Sequence, residues 1–202
     1  MAALSSSTTP PTASSTASQL ASSSLSPHAW FTQLITATPS LTHLPVSNTL
    51  TGTPQPAALV CAPMVDQSDL PFRLTCRAHG TNLCYTPMIH SKMFLNDPKY
   101  RAKFLPLILE ADGPLFFQFC CSDPDVALKS MQLLLSLLPP DLDYSKYAID
   151  INCGCPQGIA RRGAYGAFLL EQRELLLSIV KNLTENLPIR VTIKVSSCET
   201  DV

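Results

Sequence analysis

From Leu59 onward, short apolar runs alternate with longer stretches whose apolar residues recur at helical spacing. Leu59-Val-Cys-Ala-Pro-Met64 is a compact apolar run, predicted as a strand. Asp69 can cap a following helix that has Pro71 in its first turn and Gly80 as its stop. Asn82-Leu-Cys-Tyr-Thr86 predicts a second strand, and a short helix is expected after Pro98. Leu115-Phe-Phe-Gln-Phe-Cys120 predicts a third strand. Asp123-Pro124 then opens a helix through a Leu-rich stretch to Pro139. Tyr147-Ala-Ile-Asp-Ile151 predicts a fourth strand. Leu175, Leu176, Ile179, Val180, Leu183 and Leu187 lie one helical turn apart, up to Pro188, and Ile189 to Val195 predicts a fifth strand.

Apolar strands alternating with helices predict a parallel sheet covered by helices. An open doubly wound sheet and a (β/α)8 barrel both satisfy this order. No Gly-x-Gly-x-x-Gly follows the first strand, which weighs against a dinucleotide-binding open sheet. The expected fold class is α/β, a partial (β/α)8 TIM barrel of about five strands preceded by a disordered N-terminal tail. Barrel chemistry gathers at the C-terminal ends of the strands. Those ends carry Pro63-Met64, Tyr85-Thr86-Pro87, Gln118, Asn152 with Cys155, and Lys194. Any one of these could be a turn residue; special residues at all of them point to a site. A barrel opened after its fifth strand leaves two sheet edges unpaired, so the chain reads as the N-terminal part of a longer barrel.

Composition separates the tail from the rest. Residues 1–56 are rich in Ser, Thr, Ala and Pro, and the first acidic and basic residues of the chain are Asp66 and Arg73. Such a segment buries too little apolar surface to offset its chain entropy, and disorder is expected. Transit peptides normally carry arginine and this tail has none, so a plain tail is preferred over a targeting segment. Residues 57–202 form the expected folded part. Net charge is −1 with no obvious basic face, so bulk charge does not identify a nucleic-acid binder. No apolar run reaches the roughly 18–20 residues of a membrane span, and no membrane association is expected. The eight cysteines mostly sit in apolar runs with no secretory signal before them; free thiols in a reducing, cytoplasmic setting are expected.

Asn152-Cys-Gly-Cys-Pro-Gln157 is the sharpest chemical feature. A thiol just past a strand end, on a loop stiffened by Gly and Pro, can serve as nucleophile, general acid or metal ligand. Structural zinc wants four ligands, and Cys120-Cys121 would complete a set only if the fold brought it close; no metal is expected. Cys153 reads more readily than Cys155 as a buried structural thiol.

Ala62-Pro-Met-Val-Asp-Gln67, Tyr85-Thr-Pro-Met88, Gln118-Phe-Cys120, Asn152-Cys-Gly-Cys-Pro-Gln157 and Gly163-Ala-Tyr-Gly-Ala-Phe-Leu169 together resemble the tRNA-dihydrouridine synthases, in the right order and spacing. The resemblance runs from about Leu59 to Lys194 and is nearest the eukaryotic branch acting on uridines 16 and 17 of the D-loop. It implies a flavin-binding barrel that uses FMN, with NAD(P)H as reductant and tRNA as partner; no obligate protein partner is inferred. It implies that Pro63, Met64 and Val65 contact FMN, that Gln118 hydrogen-bonds the flavin's pyrimidine edge, and that Lys194 sits by the flavin ring. Asn152 would lie beside flavin and base, and Cys155 would be the catalytic acid. An ordinary thiol, with a pKa of about 8.5, is largely protonated at neutral pH and suits that role. Arg161 and Arg162 could meet tRNA phosphates. The family pattern has an arginine where Ser196 stands, and with five strands alone no stably bound flavin is expected.

Overall fold

A computed structural model describes residues 25–36, 45–47, 54–56, 58–104 and 112–196. The elements run α1 (Pro27–Thr36), β1 (Pro45–Ser47), β2 (Pro54–Pro56), β3 (Val60–Cys61), α2 (Leu70–Ala78), β4 (Leu83–Tyr85), β5 (Ile89–His90), α3 (Ser91–Asn96) and α4 (Pro98–Ala102). They continue β6 (Leu115–Cys120), α5 (Pro124–Ser136), β7 (Tyr147–Cys153), α6 (Gly158–Arg162), α7 (Phe168–Glu171), α8 (Arg173–Asn186) and β8 (Arg190–Val195). β1 and β2 form a separate antiparallel pair. The main sheet has the order β3-β4-β6-β7-β8, with β5 joining β6 beyond the end of β4, and every pairing in it is parallel. Sequential parallel strands separated by helices make this an α/β fold consistent with a partial (β/α)8 barrel.

Local signals set the element ends. Asp69 accepts from the Phe72 amide at the start of α2, and Gly80, at φ 91°, ends that segment in a conformation that favours glycine. Asp123 accepts from the amides of Asp125 and Val126, with Pro124 in the first turn of α5. Asp97 does the same for α4 through Lys99 and Tyr100.

Alternation along the strands divides the sheet into two faces. Leu115, Phe117 and Phe119 of β6, with Tyr147, Ile149 and Ile151 of β7, pack against Met131 and Leu134 of α5 and Ile179 and Leu183 of α8. Phe116 and Ala148 face the other way, with Leu83, and meet Trp30 and Leu34 of α1. Trp30 stacks on Phe116 with ring centroids 6.0 Å apart, the Arg190 guanidinium lies 4.6 Å from its ring, and its indole N–H donates to the Ser145 carbonyl at 2.8 Å. The α1 helix therefore covers the N-terminal end of the inner face.

That helix is a local departure from the composition of its surroundings. Residues 27–36 fall inside the tail for which composition predicts disorder, yet they are helical, capped by Ser26 and anchored by Trp30 and Leu34 one turn apart. Burying a large aromatic on a preformed apolar face supplies what the polar composition around it lacks. Of the remaining tail, β1 and β2 are the described portions, and the rest lies outside the described residues.

A buried ion cluster ties α2 to the foot of β6. Asp112 receives Arg73 through two guanidinium nitrogens, the closer at 2.6 Å, while Arg77 donates to the carbonyls of Asp112 and Pro114. Asp112 and Arg73 are both almost fully buried. Removing one member of such a pair leaves an uncompensated charge in the interior. Asp112→Ala is expected to lower unfolding stability by about 3–5 kcal/mol, read as a fall in the urea midpoint. Trp30→Ala is expected to cost about 3–5 kcal/mol in the same assay. Because Trp30 is the protein's one tryptophan, native fluorescence is expected to resist acrylamide quenching.

Candidate active site

Parallel register places the polar residues of three adjacent strands side by side. Gln118 of β6 is opposite Asp150 of β7, which is opposite Thr192 of β8; one step further along, Asn152 is opposite Lys194. All project from the inner face, towards the C-terminal strand ends. They open into a cleft of about 570 Å³ lined by Pro63, Val65, Met88, Gln118, Asn152, Gly154, Cys155, Gln157, Ile159, Tyr165 and Lys194. That volume lies within the usual range of small-molecule pockets.

Of the seven residues that the resemblance assigns to flavin contact or catalysis, six line this one cleft: Pro63, Val65, Gln118, Asn152, Cys155 and Lys194. Met64 does not. Its amide donates to the Ser68 hydroxyl and its carbonyl accepts from the Ser68 amide, so its main chain anchors the turn while its neighbours on either side reach the cleft.

The thiol loop is built by Asn152. Its Oδ1 accepts from the amides of both Gly154 and Cys155 at 3.1 Å, an Asx turn that folds the chain back past the end of β7. From behind, the Ala167 amide donates to the Cys155 carbonyl at 3.0 Å. Gly166 permits that approach: its φ is 68°, and a Cβ there would come within 2.5 Å of the Cys155 carbonyl oxygen. The Gly163–Leu169 stretch thus braces the loop that holds the thiol. Cys155 itself is half-buried, packed near Cys120, Ala160 and Tyr165.

The other described thiols on these strands differ from it. Cys120 and Cys153 are buried, and burial pushes their pKa values up to about 12 and about 11. Cys121 is raised by burial still further. Such thiols stay protonated and shielded. Among the described residues, no group of three or more His, Cys, Asp or Glu side chains is placed to hold a metal ion.

Sequence reasoning passed over Asp150. It is 1 % exposed, donated to by Gln118 Nε2 at 2.8 Å and by the Thr192 hydroxyl at 2.6 Å. Burial raises its pKa to about 6, against the opposing pull of those two hydrogen bonds and of the Lys194 ammonium. Its signal was visible: a lone carboxylate in the middle of the apolar run Tyr147–Ile151 must find partners once that strand is buried. Met88 and Tyr165, which lie inside the Tyr85–Met88 and Gly163–Leu169 motifs, also line the cleft.

The dihydrouridine synthase (Dus) family matches this chain over residues 60–199. The chain belongs to that family. Relatives include the tRNA-dihydrouridine(16/17) synthase [NAD(P)(+)] of Schizosaccharomyces pombe, 44 % identical over 137 residues that cover 67 % of this chain and 32 % of the relative. The corresponding rat protein, tRNA-dihydrouridine(16/17) synthase [NAD(P)(+)]-like, is 46 % identical over 67 % of this chain and 30 % of its own length. The Saccharomyces cerevisiae tRNA-dihydrouridine(16/17) synthase [NAD(P)(+)] is 40 % identical over 67 % of this chain and 31 % of its own length. The chain thus spans about a third of the length of these relatives. Its Dus match begins within β3 and takes in every residue that lines the cleft.

Exposure at this site makes a direct prediction. In the folded protein, iodoacetamide is expected to label Cys155 at least about tenfold faster than Cys120, Cys121 or Cys153, because those thiolates are disfavoured by burial. Peptide mapping by mass spectrometry over a time course reads the rates; equal labelling of all four would show the loop packed shut.

Proposed function

We propose that this chain carries the proton-donating side of the active site of an FMN-dependent enzyme that reduces uridine to 5,6-dihydrouridine in the D-loop of tRNA, at positions 16 and 17, using NAD(P)H. The observation that carries this is the placement of a half-buried thiol, Cys155, in one cleft with an amide, Gln118, and a cation, Lys194, from neighbouring strand ends. Those relatives are tRNA-dihydrouridine(16/17) synthases that use NAD(P), which supplies the tRNA, the positions and the NAD(P) dependence for those proteins.

The cleft's chemistry fits a flavin. Among the described residues, Gln118 commits one N–H to Asp150 and one carbonyl lone pair to Asn152, leaving one donor and one acceptor for a ring edge that alternates C=O and N–H. Lys194 would stabilise negative charge on the reduced ring. Pro63, Val65 and Met88 offer apolar contact to a flat heterocycle. When bound, FMN supplies a hydride to C6 of the uracil, with NAD(P)H as the source of its electrons.

Cys155 gives its thiol proton to C5 of the same ring, completing the saturation of the C5–C6 bond. The thiolate left behind regains a proton from solvent through the open mouth of the cleft. Asn152 holds the loop, so that the thiol and the cleft wall keep a fixed relation during transfer. The target base must leave its stacking in the folded tRNA to reach this depth. Arg161 and Arg162, exposed at the end of α6 beside Ile159 of the cleft wall, are available to backbone phosphates.

The test is a chimera joining residues 58–195 to the remaining length of the fission-yeast relative, supplied with FMN, NADPH and unmodified tRNA. It is expected to form dihydrouridine, and Cys155→Ala in it is expected to lower the rate by about 10²–10⁴. Full activity in that variant, or turnover of free enoates with none on tRNA, would contradict the proposal.

A further inference from the structure

Asp150 has no place in the chemistry above, yet it stands at the centre of the hydrogen bonds that build the cleft. We propose that Asp150 is a positioning residue, whose carboxylate fixes which way round the amides of Gln118 and Asn152 lie, and through them the donor–acceptor face and the thiol loop of the cleft. This deepens the proposed function and rests on it for what the cleft binds.

A side-chain amide has a donor end and an acceptor end of nearly equal shape, and only its neighbours decide between them. An ionised carboxylate only accepts. Asp150 therefore requires Gln118 to present Nε2, as it does at 2.8 Å. The opposite end of that amide, Oε1, then faces Asn152, which must present Nδ2, as it does at 3.0 Å. That leaves Asn152 Oδ1 to accept from the amides of Gly154 and Cys155. The far end of the chain agrees independently, because backbone N–H groups only donate. Two amides are locked in one sense between an acceptor at one end and two donors at the other. Turning either round would set like groups against each other in a buried site, where an unmade hydrogen bond costs most.

Thr192 completes the design. Its hydroxyl donates to Asp150 Oδ1, leaving Oδ2 for Gln118, so each carboxylate oxygen has one defined donor. The charged and titratable groups around Asp150 are Lys194 from β8, Tyr85 from β4 and Cys153 from its own strand. Tyr85 and Cys153 are both raised, Cys153 to about 11, so neither changes state near neutral pH. Burial raises the carboxyl pKa to about 6, so the ionised form that enforces the order gives way, as pH falls through about 6, to a protonated Asp150 that can donate and no longer requires Nε2 of Gln118.

The experiment compares the wild-type chain with Asp150→Asn and Asp150→Leu. The first readout is the iodoacetamide rate of Cys155 relative to Cys76, a half-buried thiol outside the cleft. Asp150→Leu is expected to change that ratio at least about threefold, and Asp150→Asn, whose carbonyl can still accept from Gln118, to restore part of it. The second readout is the Gln118 side-chain amide pair by NMR, expected to shift in the wild type as pH falls through about 6 and to stay still in Asp150→Asn. The third is an FMN titration of the chimera that joins residues 58–195 to the fission-yeast relative, in which Asp150→Leu is expected to weaken binding about tenfold. Unchanged Cys155 reactivity in a folded Asp150→Leu, or a Gln118 amide that does not follow pH in the wild type, overturns the proposal. If Asp150→Leu does not fold, the NMR comparison with Asp150→Asn decides. A chimera that binds no FMN counts against the flavin site, and leaves the first two readouts to judge Asp150.

Discussion

Parallel pairing of β6, β7 and β8 without slip is the constraint on which the site depends. A parallel sheet keeps inward-facing residues of neighbouring strands level, so each step of two residues along the strands makes one layer. The lowest layer is Phe116, Ala148 and Arg190; the next is Gln118, Asp150 and Thr192; the last pairs Asn152 with Lys194. A slip of one residue in β7 would send Asp150 and Asn152 to the helix-covered face and bring Ile149 and Ile151 into the cleft. The alternation prevents this. Ile149 and Ile151 are fully buried against α5 and α8, and exchanging them for a carboxylate and an amide would strand two polar groups in an apolar core.

The layers also divide the labour. The lowest sets Phe116 and Ala148 beside Arg190, whose guanidinium lies over the Trp30 ring, and it closes the inner face from below. The middle layer is polar, with Asp150 accepting from Gln118 and from the Thr192 hydroxyl, while Gln118 also lines the floor of the cleft. The top layer opens outward above it, and there the chain adds a cation, a second amide and a thiol. Chemistry is thus confined to the ends of the strands, while the layers beneath hold those ends at fixed height. The thiol loop is held from both sides, by Asn152 in front and by the close passage of Gly166 behind.

Much of this was legible in the chain, and the reason is locality. The caps at Asp69 and Asp123, the stop at Gly80 and the strands at Leu115–Cys120 and Tyr147–Ile151 depend on neighbours a few residues away. So does the loop around Cys155, whose Asx turn spans only three residues. What escaped depends on distant partners. Helix α1 looks like part of a polar tail until Trp30 finds Phe116 and a carbonyl 115 residues away. Asp150 owes its role to residues 32 and 42 positions removed. Strand β5 and helix α3 were missed because the strand is two residues long and extends β6 only where β4 has already ended. Met64 was grouped with its neighbours by motif, and the anchor to Ser68 that holds its main chain is not written in a pattern of apolar positions.

The central claim is that adjacent strand ends share one ligand and split its tasks, with Gln118 and Lys194 holding a flavin and Cys155 acting only on what lies against it. The most direct measurement is FMN affinity, by fluorescence titration, in the chimera bearing Gln118→Ala, Lys194→Ala or Cys155→Ala. The account predicts that the first two weaken binding about tenfold each, the loss of roughly one charge-assisted or neutral hydrogen bond, while Cys155→Ala binds as the wild type does. Wild-type affinity in both Gln118→Ala and Lys194→Ala would contradict it.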